Sequence, residues 1–387
     1  MSSSPSSAFF ATAPRGLEPL LLKELQSLGA VQAEVVPGGV SFAGTWETCY
    51  RANLWSRIAS RVLWKIHSFS YRDEGDVYAK AKGLDWPRYF GVERTLRVNV
   101  TAQKSPLKSL EFATLRIKDA VCDRFREAVG KRPDVERAAP DVRVHAFLEK
   151  ENGTLYLDTS GEPLFKRGWR AGQGEAPLRE NLAAGIIMLT GWQPGEALLD
   201  PMCGGATLLA EAAAMARGRA PGAKRSFGFE KLAAFDSRLW EAVKREEASA
   251  PSVKDPRLYG SDSDPEALKA ARRNLAAAGV ERWVTLEQAD VLERDAPAPG
   301  GVMVMNPPYG ERMGSLDELA LFYPKLGDAL KKRFAGWRCY IFTADLRLPK
   351  LIHLAPSART PLWNGALECR LYEFRMVSGR PTRDSGR

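Results

Sequence analysis

The chain contains 387 residues, which is more than one ordinary domain uses, so we expect two or three domains. Hydrophobic residues make up 44% and charged residues 27%, and no apolar run is long enough to cross a bilayer, which excludes a membrane-spanning protein. The formal net charge of +9 fits a polyanionic partner such as a nucleic acid, although many basic proteins simply have basic surfaces.

Residues 1–70 predict a small ferredoxin-like domain. The run "AFFATA" is strand-like, "GLEPLLLKELQSLG" has a helical apolar pattern, and "AEVVPGGVSFAG" predicts a hairpin around Pro37 and Gly38. A second helix, "TWETCYRANLWS", begins at a candidate N-cap, Thr45, and the strand "RVLWKIHSFS" follows it. The order strand, helix, strand, strand, helix, strand is that of the split βαβ unit.

Residues 71–165 predict a second small α+β domain, for which contact with RNA is a candidate function. Its elements are a helix broken near Trp86, the strand "TLRVNVTAQ", the amphipathic helix "ATLRIKDAVCDRFREAVG", and a hairpin that we expect to turn at Asn152 and Gly153. Basic side chains cluster near the long helix, for which a solvated helix face is the alternative explanation. The candidate RNA contacts, including two in the linker "FKRGWR", are Lys104, Lys108, Arg116, Lys118, Arg167 and Arg170.

Residues 166–387 predict an α/β domain with a doubly wound parallel sheet. After a Gly-rich linker, the strands "EALLDP", "RLYGSD", "VTLEQAD", "GVMVMN" and "RCYIFTAD" alternate with helical segments. The last stretch, "LWNGALECRLYEFRMV", has two strand-like runs around Asn364 and Gly365, so we expect the sheet to end in an antiparallel hairpin.

Cysteine and histidine are too few and too scattered to predict a disulfide framework or a metal centre. The five cysteines include no C-x-x-C pair, and the three histidines lie in separate segments. The N-terminal run "MSSSPSSAFF" has no basic segment before a long apolar core, so we expect no signal peptide. We therefore expect a cytoplasmic protein that binds no metal ion.

Polar groups follow the carboxyl ends of successive predicted strands, which is where a doubly wound sheet binds its ligands. Asp200 precedes a glycine turn that lacks the G-x-G-x-x-G spacing of a dinucleotide site, and its carboxylate would repel a pyrophosphate but suit an ammonium group. Asp262 could accept hydrogen bonds from the hydroxyl groups of a ribose, and Asp290 could accept one from the amino group of an adenine. Each aspartate alone is more often a cap or turn residue, as we expect for Asp264. Together they predict a site for S-adenosylmethionine (SAM), which has no phosphate.

The segment "VMNPPYG", at the end of a predicted strand, predicts catalysis on an exocyclic amine. Asn306 offers a side-chain carbonyl, and the backbone carbonyl of Pro307 could be a second acceptor for the protons of the amine. Neither Pro307 nor Pro308 has an N–H group that would compete, and Tyr309 could stack on an extruded base. The alternative is a Pro-Pro turn capped by an asparagine.

These motifs resemble a known family. The runs "DPMCGGATLLAEAA", "LYGSDSDPEALKAARRNLAAAGV" and "NPPYGERMG", with the order of the domains, are similar to the bacterial THUMP-containing RNA guanine-N2 methyltransferases that act on 23S ribosomal RNA. The resemblance implies a SAM-dependent enzyme with substrate contacts at Asn306, Pro307, Pro308 and Tyr309. The cofactor contacts that it implies are Asn181, Asp200, Met202, Cys203, Gly204, Thr207, Asp262 and Asp290. In one departure, Ala206 occupies a position where the family usually has glycine.

Other functions remain open at this stage. The same N-P-P-Y segment could accept the N6 amine of adenine, and the RNA could be a tRNA rather than ribosomal RNA. A non-enzymatic alternative is an RNA-binding assembly factor with a vestigial cofactor pocket. A nicotinamide oxidoreductase is disfavoured because its glycine fingerprint is missing. The sequence leaves the oligomeric state open.

Overall fold

The computed structural model describes residues 6–169, 178–307 and 316–377. The chain divides into two compact units, each assembled from separate segments. Unit 1 consists of Met1–Ala13, Glu18–Arg167 and Ala220–Ala248. Unit 2 consists of Pro14–Leu17, Gly168–Arg219 and Ser249–Arg387.

Unit 1 is built on one seven-stranded sheet with the strand order β2-β3-β1-β4-β7-β6-β5. Its strands are β1 (Ser7–Thr12), β2 (Val31–Val36), β3 (Gly39–Gly44), β4 (Arg61–Ser70), β5 (Leu96–Gln103), β6 (Val142–Glu149) and β7 (Asn152–Asp158). Its helices are α1 (Glu18–Ser27), α2 (Trp46–Trp55), α3 (Glu74–Lys82), α4 (Leu110–Val129) and α7 (Ser237–Arg245).

The first part of unit 1 confirms the predicted ferredoxin-like order. Strands β1 to β4 and helices α1 and α2 follow one another as β1-α1-β2-β3-α2-β4. The cap of α2 is also confirmed, because the Thr45 hydroxyl accepts a hydrogen bond from the backbone N–H of Thr48 at 3.4 Å. Leu21 and Leu25, one turn apart on α1, are fully buried.

The second part of unit 1 continues the same sheet, since β4 pairs with β7 in antiparallel register. The predicted turn of the β6–β7 hairpin was wrong by two residues: Glu149 pairs with Asn152, so the chain turns at Lys150 and Glu151. Gly153 lies inside the strand for another reason. A Cβ there would come within 2.4 Å of the Phe69 ring, so glycine permits close packing instead of a turn.

Residues Ala220–Ala248 pack in unit 1, although they lie between two elements of unit 2 in the sequence. The Tyr50 ring lies 4.5 Å from the Phe229 ring, and its hydroxyl accepts a hydrogen bond from Asp236 N at 2.9 Å. Arg225 Nη1 donates to the backbone carbonyl of Pro163 at 2.6 Å. The domain boundaries drawn from the sequence at residues 70 and 165 stay predictions, but these contacts assign this segment to unit 1.

Unit 2 is built on a second seven-stranded sheet, with the order β10-β9-β8-β11-β12-β14-β13. Its strands are β8 (Leu198–Asp200), β9 (Leu258–Asp262), β10 (Val284–Gln288), β11 (Gly301–Met305), β12 (Trp337–Thr343), β13 (Ala358–Asn364) and β14 (Leu367–Arg375). Its helices are α5 (Glu180–Leu189), α6 (Thr207–Ala216), α8 (Pro265–Ala278), α9 (Leu316–Arg333) and the short α10 (Leu348–Leu351).

This sheet confirms the predicted doubly wound architecture with a terminal hairpin. The five strands β8 to β12 are parallel, whereas β14 runs antiparallel to both β12 and β13. The order reverses between β8 and β11, so the switch point of the sheet lies between these two strands. The hairpin turns at Gly365, with φ of +65°, one residue beyond Asn364.

The core of unit 2 is aromatic and aliphatic on both sides of β11 and β12. Met303 and Met305 of β11 pack with Tyr323 of α9, with Phe334 just beyond this helix and with Trp337 of β12, all of them almost fully buried. Within the described ranges, no helix combines the length and apolar character needed to span a membrane. The same ranges contain no cluster of three or more potential metal ligands.

Candidate active site

The carboxyl ends of the central strands bring four of the sequence-predicted residues to one edge of the sheet of unit 2. Asp200 is the last residue of β8, Asp262 the last of β9, and Asn306 follows the last residue of β11. Asp290 lies two residues beyond the end of β10. Because these strands are parallel neighbours, their carboxyl ends form the crevice at which such sheets bind ligands.

The glycine turn after β8 is tied to β9 by backbone hydrogen bonds. Cys203 N donates to the Ser261 carbonyl at 2.9 Å, and Gly204 N donates to the Asp262 carboxylate at 2.9 Å. Gly204 has a φ of +50°, and a Cβ built there would have no heavy atom within 4 Å. The turn therefore leaves open space beside Asp262 that a ligand can occupy.

Ala206 takes a left-handed backbone conformation, with φ of 60° and ψ of 32°, at the N-cap of α6. Its side chain is fully buried, and its N–H donates to the Cys203 carbonyl at 2.7 Å. This conformation costs a non-glycine residue about 1–2 kcal/mol. The departure from the family pattern thus falls at a position where the backbone conformation favours glycine.

Asp200 is a buried carboxyl with few compensating interactions. It is 2% exposed and accepts a hydrogen bond from Met202 N at 3.3 Å. Burial, with a smaller contribution from the nearby charge of Asp262, raises the pKa of Asp200 to about 8. A buried acid with this pKa is mostly neutral near pH 7, and a cation that binds beside it stabilises the ionised form.

Asp262 and Asp290 both accept hydrogen bonds from the backbone. The Asp262 carboxylate accepts from Asp264 N at 3.0 Å as well as from Gly204 N, and Asp290 is exposed and accepts from Leu292 N at 2.9 Å. Asp264 is confirmed as the cap of α8, since its side chain accepts from Glu266 N at 2.9 Å. Asp262 and Asp290 thus have a structural role in the loops that carry them, and assigning them to a ligand remains a prediction.

Asn306 presents a buried acceptor. Its Oδ1 atom is shielded from solvent and receives no hydrogen bond from any residue that the structure describes. Native proteins rarely leave a buried carbonyl oxygen without a donor, so each such atom needs an explanation, and a catalytic role is one of them. Pro307 follows it, buried and without an N–H group.

The remaining predicted cofactor residues lie on the helices and turns around this crevice. Asn181 is fully buried in the first turn of α5, and Thr207 is the first residue of α6. Met202 is partly buried against the aromatic core. Pro308, Tyr309 and Arg170 lie outside the described residues.

The predicted RNA contacts in residues 71–165 differ in their surroundings. Lys104 and Lys108 are exposed in the segment before α4. The Arg116 guanidinium lies 4.2 Å from the centre of the Tyr78 ring, and Lys118 forms a 2.8 Å ion pair with the carboxylate of the next residue. The two lysines are therefore the most accessible of these four cations.

For Arg167 the structure contradicts an RNA contact. This side chain is 3% exposed, and its guanidinium donates to the backbone carbonyls of Leu164 at 2.8 Å and Arg57 at 2.7 Å. A buried guanidinium that satisfies carbonyl groups stabilises the loop and is not available to a phosphate. The composition of the linker did not predict that Arg167 is buried.

Three residues that the sequence reasoning missed lie where β12 ends, next to the end of β11. Thr343 is fully buried, Asp345 is 9% exposed, and Arg347 forms two hydrogen bonds of 2.9 Å to the two carboxylate oxygens of Asp345. These bonds lower the pKa of Asp345 below its ordinary value, so this carboxylate is ionised at neutral pH. The run "RCYIFTAD", which predicts a strand, carries this aspartate at its carboxyl end. That position is the sequence signal that could have identified Asp345 as a site residue.

The donor set fits SAM. Asp200 offers a carboxyl to the ammonium group of the cofactor, and the open space at Gly204 lies beside Asp262, which suits a ribose. The carboxyl groups of Asp200 and Asp262 beside this turn would repel a phosphate, and SAM has none.

The chain matches three family descriptions. Residues 8–63 match the RlmL ferredoxin-like domain, residues 71–158 the THUMP domain, and residues 167–373 the RMKL-like methyltransferase domain. The last match covers more than half of the chain, so the protein belongs to the RMKL-like methyltransferase family.

Similar proteins agree with this assignment. The "Ribosomal RNA large subunit methyltransferase K/L" of Syntrophotalea carbinolica is 42% identical over 96% of this chain and 54% of its own length, so the chain spans about half of that relative. The crystal structure of SMU.472, described as a methyltransferase and solved with S-adenosylhomocysteine (SAH), has a TM-score of 0.88 with 30% identity and covers 97% of this chain and 99% of its own. The crystal structure of a protein from Listeria monocytogenes, described as an N6-adenine-specific DNA methylase, has a TM-score of 0.87 with 29% identity over 96% of this chain and 97% of its own.

Proposed function

We propose that the protein transfers a methyl group from SAM to the exocyclic N2 amine of a guanine in large-subunit ribosomal RNA. The observation that carries the proposal is the buried Asn306 Oδ1, an acceptor without a donor among the described residues, at the switch point of a methyltransferase sheet. An exocyclic amine has two N–H donors, one of which would satisfy this oxygen.

In this mechanism Asn306 and Pro307 prepare the amine for attack. The nitrogen lone pair of a base amine is delocalised into the ring, and hydrogen bonds from its two protons to the Asn306 side chain and the Pro307 carbonyl would return electron density to nitrogen. Bound SAM supplies a methyl group activated by a sulfonium. The two acceptors would orient the nitrogen for attack on that methyl group, and alignment of this kind lowers barriers by up to roughly 7–11 kcal/mol.

RNA binding is assigned to unit 1. It contains the THUMP domain and the exposed Lys104 and Lys108, whose charges can displace counterions from phosphates. The ribosomal target rests on the curated relatives, which are named for large-subunit ribosomal RNA. A protein with this substrate would act in the cytoplasm.

The experiment is methylation of large-subunit ribosomal RNA that carries no modifications, with isotope-labelled SAM, followed by mapping of the labelled nucleotide. We expect label on guanine N2 at one position. Label on adenine N6 would favour adenine-N6 methylation, which is the activity in the description of the Listeria monocytogenes protein. Label on tRNA alone would overturn the ribosomal target. Absence of any SAM binding in calorimetry would instead support a non-enzymatic assembly factor.

A further inference from the structure

The end of β12 stands beside Asn306, and this placement bears on which base the site accepts. Met305 of β11 pairs in parallel with Ile341 of β12, so Asn306 lies opposite Phe342, and Asp345 follows three residues later. Even if the chain ran straight, the Cα atoms of Asn306 and Asp345 would be at most about 11 Å apart. The chain turns sooner, because Asp345 N donates to Thr343 Oγ1 at 3.0 Å. The two side chains are therefore carried by neighbouring strand ends, at a separation that lets both reach the edge of one purine.

Asp345 retains acceptor capacity. Its Oδ1 accepts from the backbone N–H and the Nε of Arg347, both at 2.9 Å, and its Oδ2 accepts from Arg347 Nη2 at 2.9 Å. A carboxylate has about four acceptor positions, so one on Oδ2 has no donor among the residues described. The side chain is only 5% exposed, so a donor supplied by a ligand would be shielded from water.

The edges of guanine and adenine differ next to the reactive amine. Guanine presents the N1–H donor beside its N2 amine, whereas adenine presents the lone pair of N1 beside its N6 amine. Two neighbouring acceptors, an amide oxygen and a carboxylate, complement the guanine edge. Against adenine, the carboxylate would face a lone pair and lose its hydrogen bond, an arrangement that sites built on hydrogen bonds reject strongly.

We propose that Asp345 selects guanine by accepting the N1–H of the target base, while Asn306 accepts a proton of its N2 amine. Arg347 fixes the orientation of the carboxylate and acts as a positioning residue. This inference rests on the proposed function, because it presumes that an amine of a purine is methylated in this crevice.

The test uses RNA fragments around the mapped position that carry guanine, 2-aminopurine or adenine there. 2-Aminopurine keeps the N2 amine but replaces N1–H with a lone pair. We expect the wild-type protein to methylate guanine at least tenfold more efficiently, in kcat/KM, than 2-aminopurine. In Asp345→Asn this ratio should fall at least tenfold, because an amide can donate to N1 as well as accept from it.

Asp345→Asn keeps an oxygen that can accept from the backbone N–H of Arg347 but loses the charged pair with its side chain, so we expect a lower melting temperature with SAM affinity unchanged in the folded variant. The control is Asp295→Asn, which removes a more exposed aspartate–arginine pair with Arg333 near the amino end of β12 and should leave the ratio unchanged. Equal methylation of guanine and 2-aminopurine by the wild type would overturn the proposal without any variant. So would an unchanged ratio in Asp345→Asn. Methylation of adenine alone would refute the guanine assignment and this inference together, whereas a guanine product with no preference over 2-aminopurine would refute only the inference.

Discussion

Replacing Asp200 by asparagine should stabilise the cofactor-free protein while weakening its binding of SAM. Burial raises the pKa of this carboxyl from 3.8 to about 8, so the folded state favours the protonated form. The unfolded chain ionises first, so the contribution of Asp200 to stability is complete below pH 4 and is lost as the pH rises to about 8. At pH 7 the penalty is at most roughly 4 kcal/mol. A neutral amide avoids the penalty but must bury an extra N–H donor, so we expect a net gain of about 1–3 kcal/mol.

The assay compares unfolding of the wild type and Asp200→Asn between pH 5 and pH 8.5, with SAM binding measured by calorimetry. The stability advantage of the variant should grow with pH across this window. SAM affinity of the variant should fall at least tenfold, since a charge-assisted hydrogen bond contributes about 1.5–3 kcal/mol. The wild type should release a proton on binding SAM near pH 7, visible as a dependence of the heat on the buffer. The exposed cap variant Asp264→Asn is the control. A variant that is less stable at pH 8, or that binds SAM normally, would refute the role of Asp200.

Three further outcomes test other parts of the assignment. Asn306→Ala should lower single-turnover methyl transfer by about 10²–10³ while leaving SAM and RNA affinity nearly unchanged, because the lost interaction is strongest in the transition state; normal turnover would make the segment a simple turn. Asp262→Ala should weaken SAM binding by about 1.5–3 kcal/mol in calorimetry and also lower the melting temperature, because Gly204 N loses its acceptor; unchanged affinity in a folded protein would remove this aspartate from the site. Replacing both Lys104 and Lys108 by alanine should reduce the slope of log affinity for RNA against log salt by up to about 2, measured in filter binding, and an unchanged slope would show that neither lysine meets a phosphate.

The parts of the fold that could be predicted from the sequence are those that local patterns determine. The alternation of unit 2, the ferredoxin-like order of unit 1 and the caps at Thr45 and Asp264 each depend on residues within a few positions. The strand-end residues Asp200 and Asn306 could be grouped because parallel strands share one carboxyl edge.

What the sequence did not predict depends on partners far along the chain. Arg167 was interpreted as a linker cation, yet its partners are carbonyl groups, one of them on Arg57, 110 residues away. The segment Ala220–Ala248 has no local signal that assigns it to unit 1, because its partners, such as Tyr50, come from the other end of the sequence. Gly153 was misinterpreted because a glycine in a turn and a glycine beneath a ring look alike in sequence.

The assembly of unit 1 from distant segments has a consequence for how the protein is made. Synthesis runs from the amino terminus, and domains generally fold as their residues emerge. Unit 1 is incomplete until residue 248 has been synthesised, and until then Tyr50 lacks the ring of Phe229 that covers it. The nascent part of unit 1 therefore has apolar surface exposed while residues 168–219 of unit 2 are translated. A truncation ending at residue 167 lacks the same contacts, so we expect this fragment to aggregate unless residues 220–248 are supplied with it.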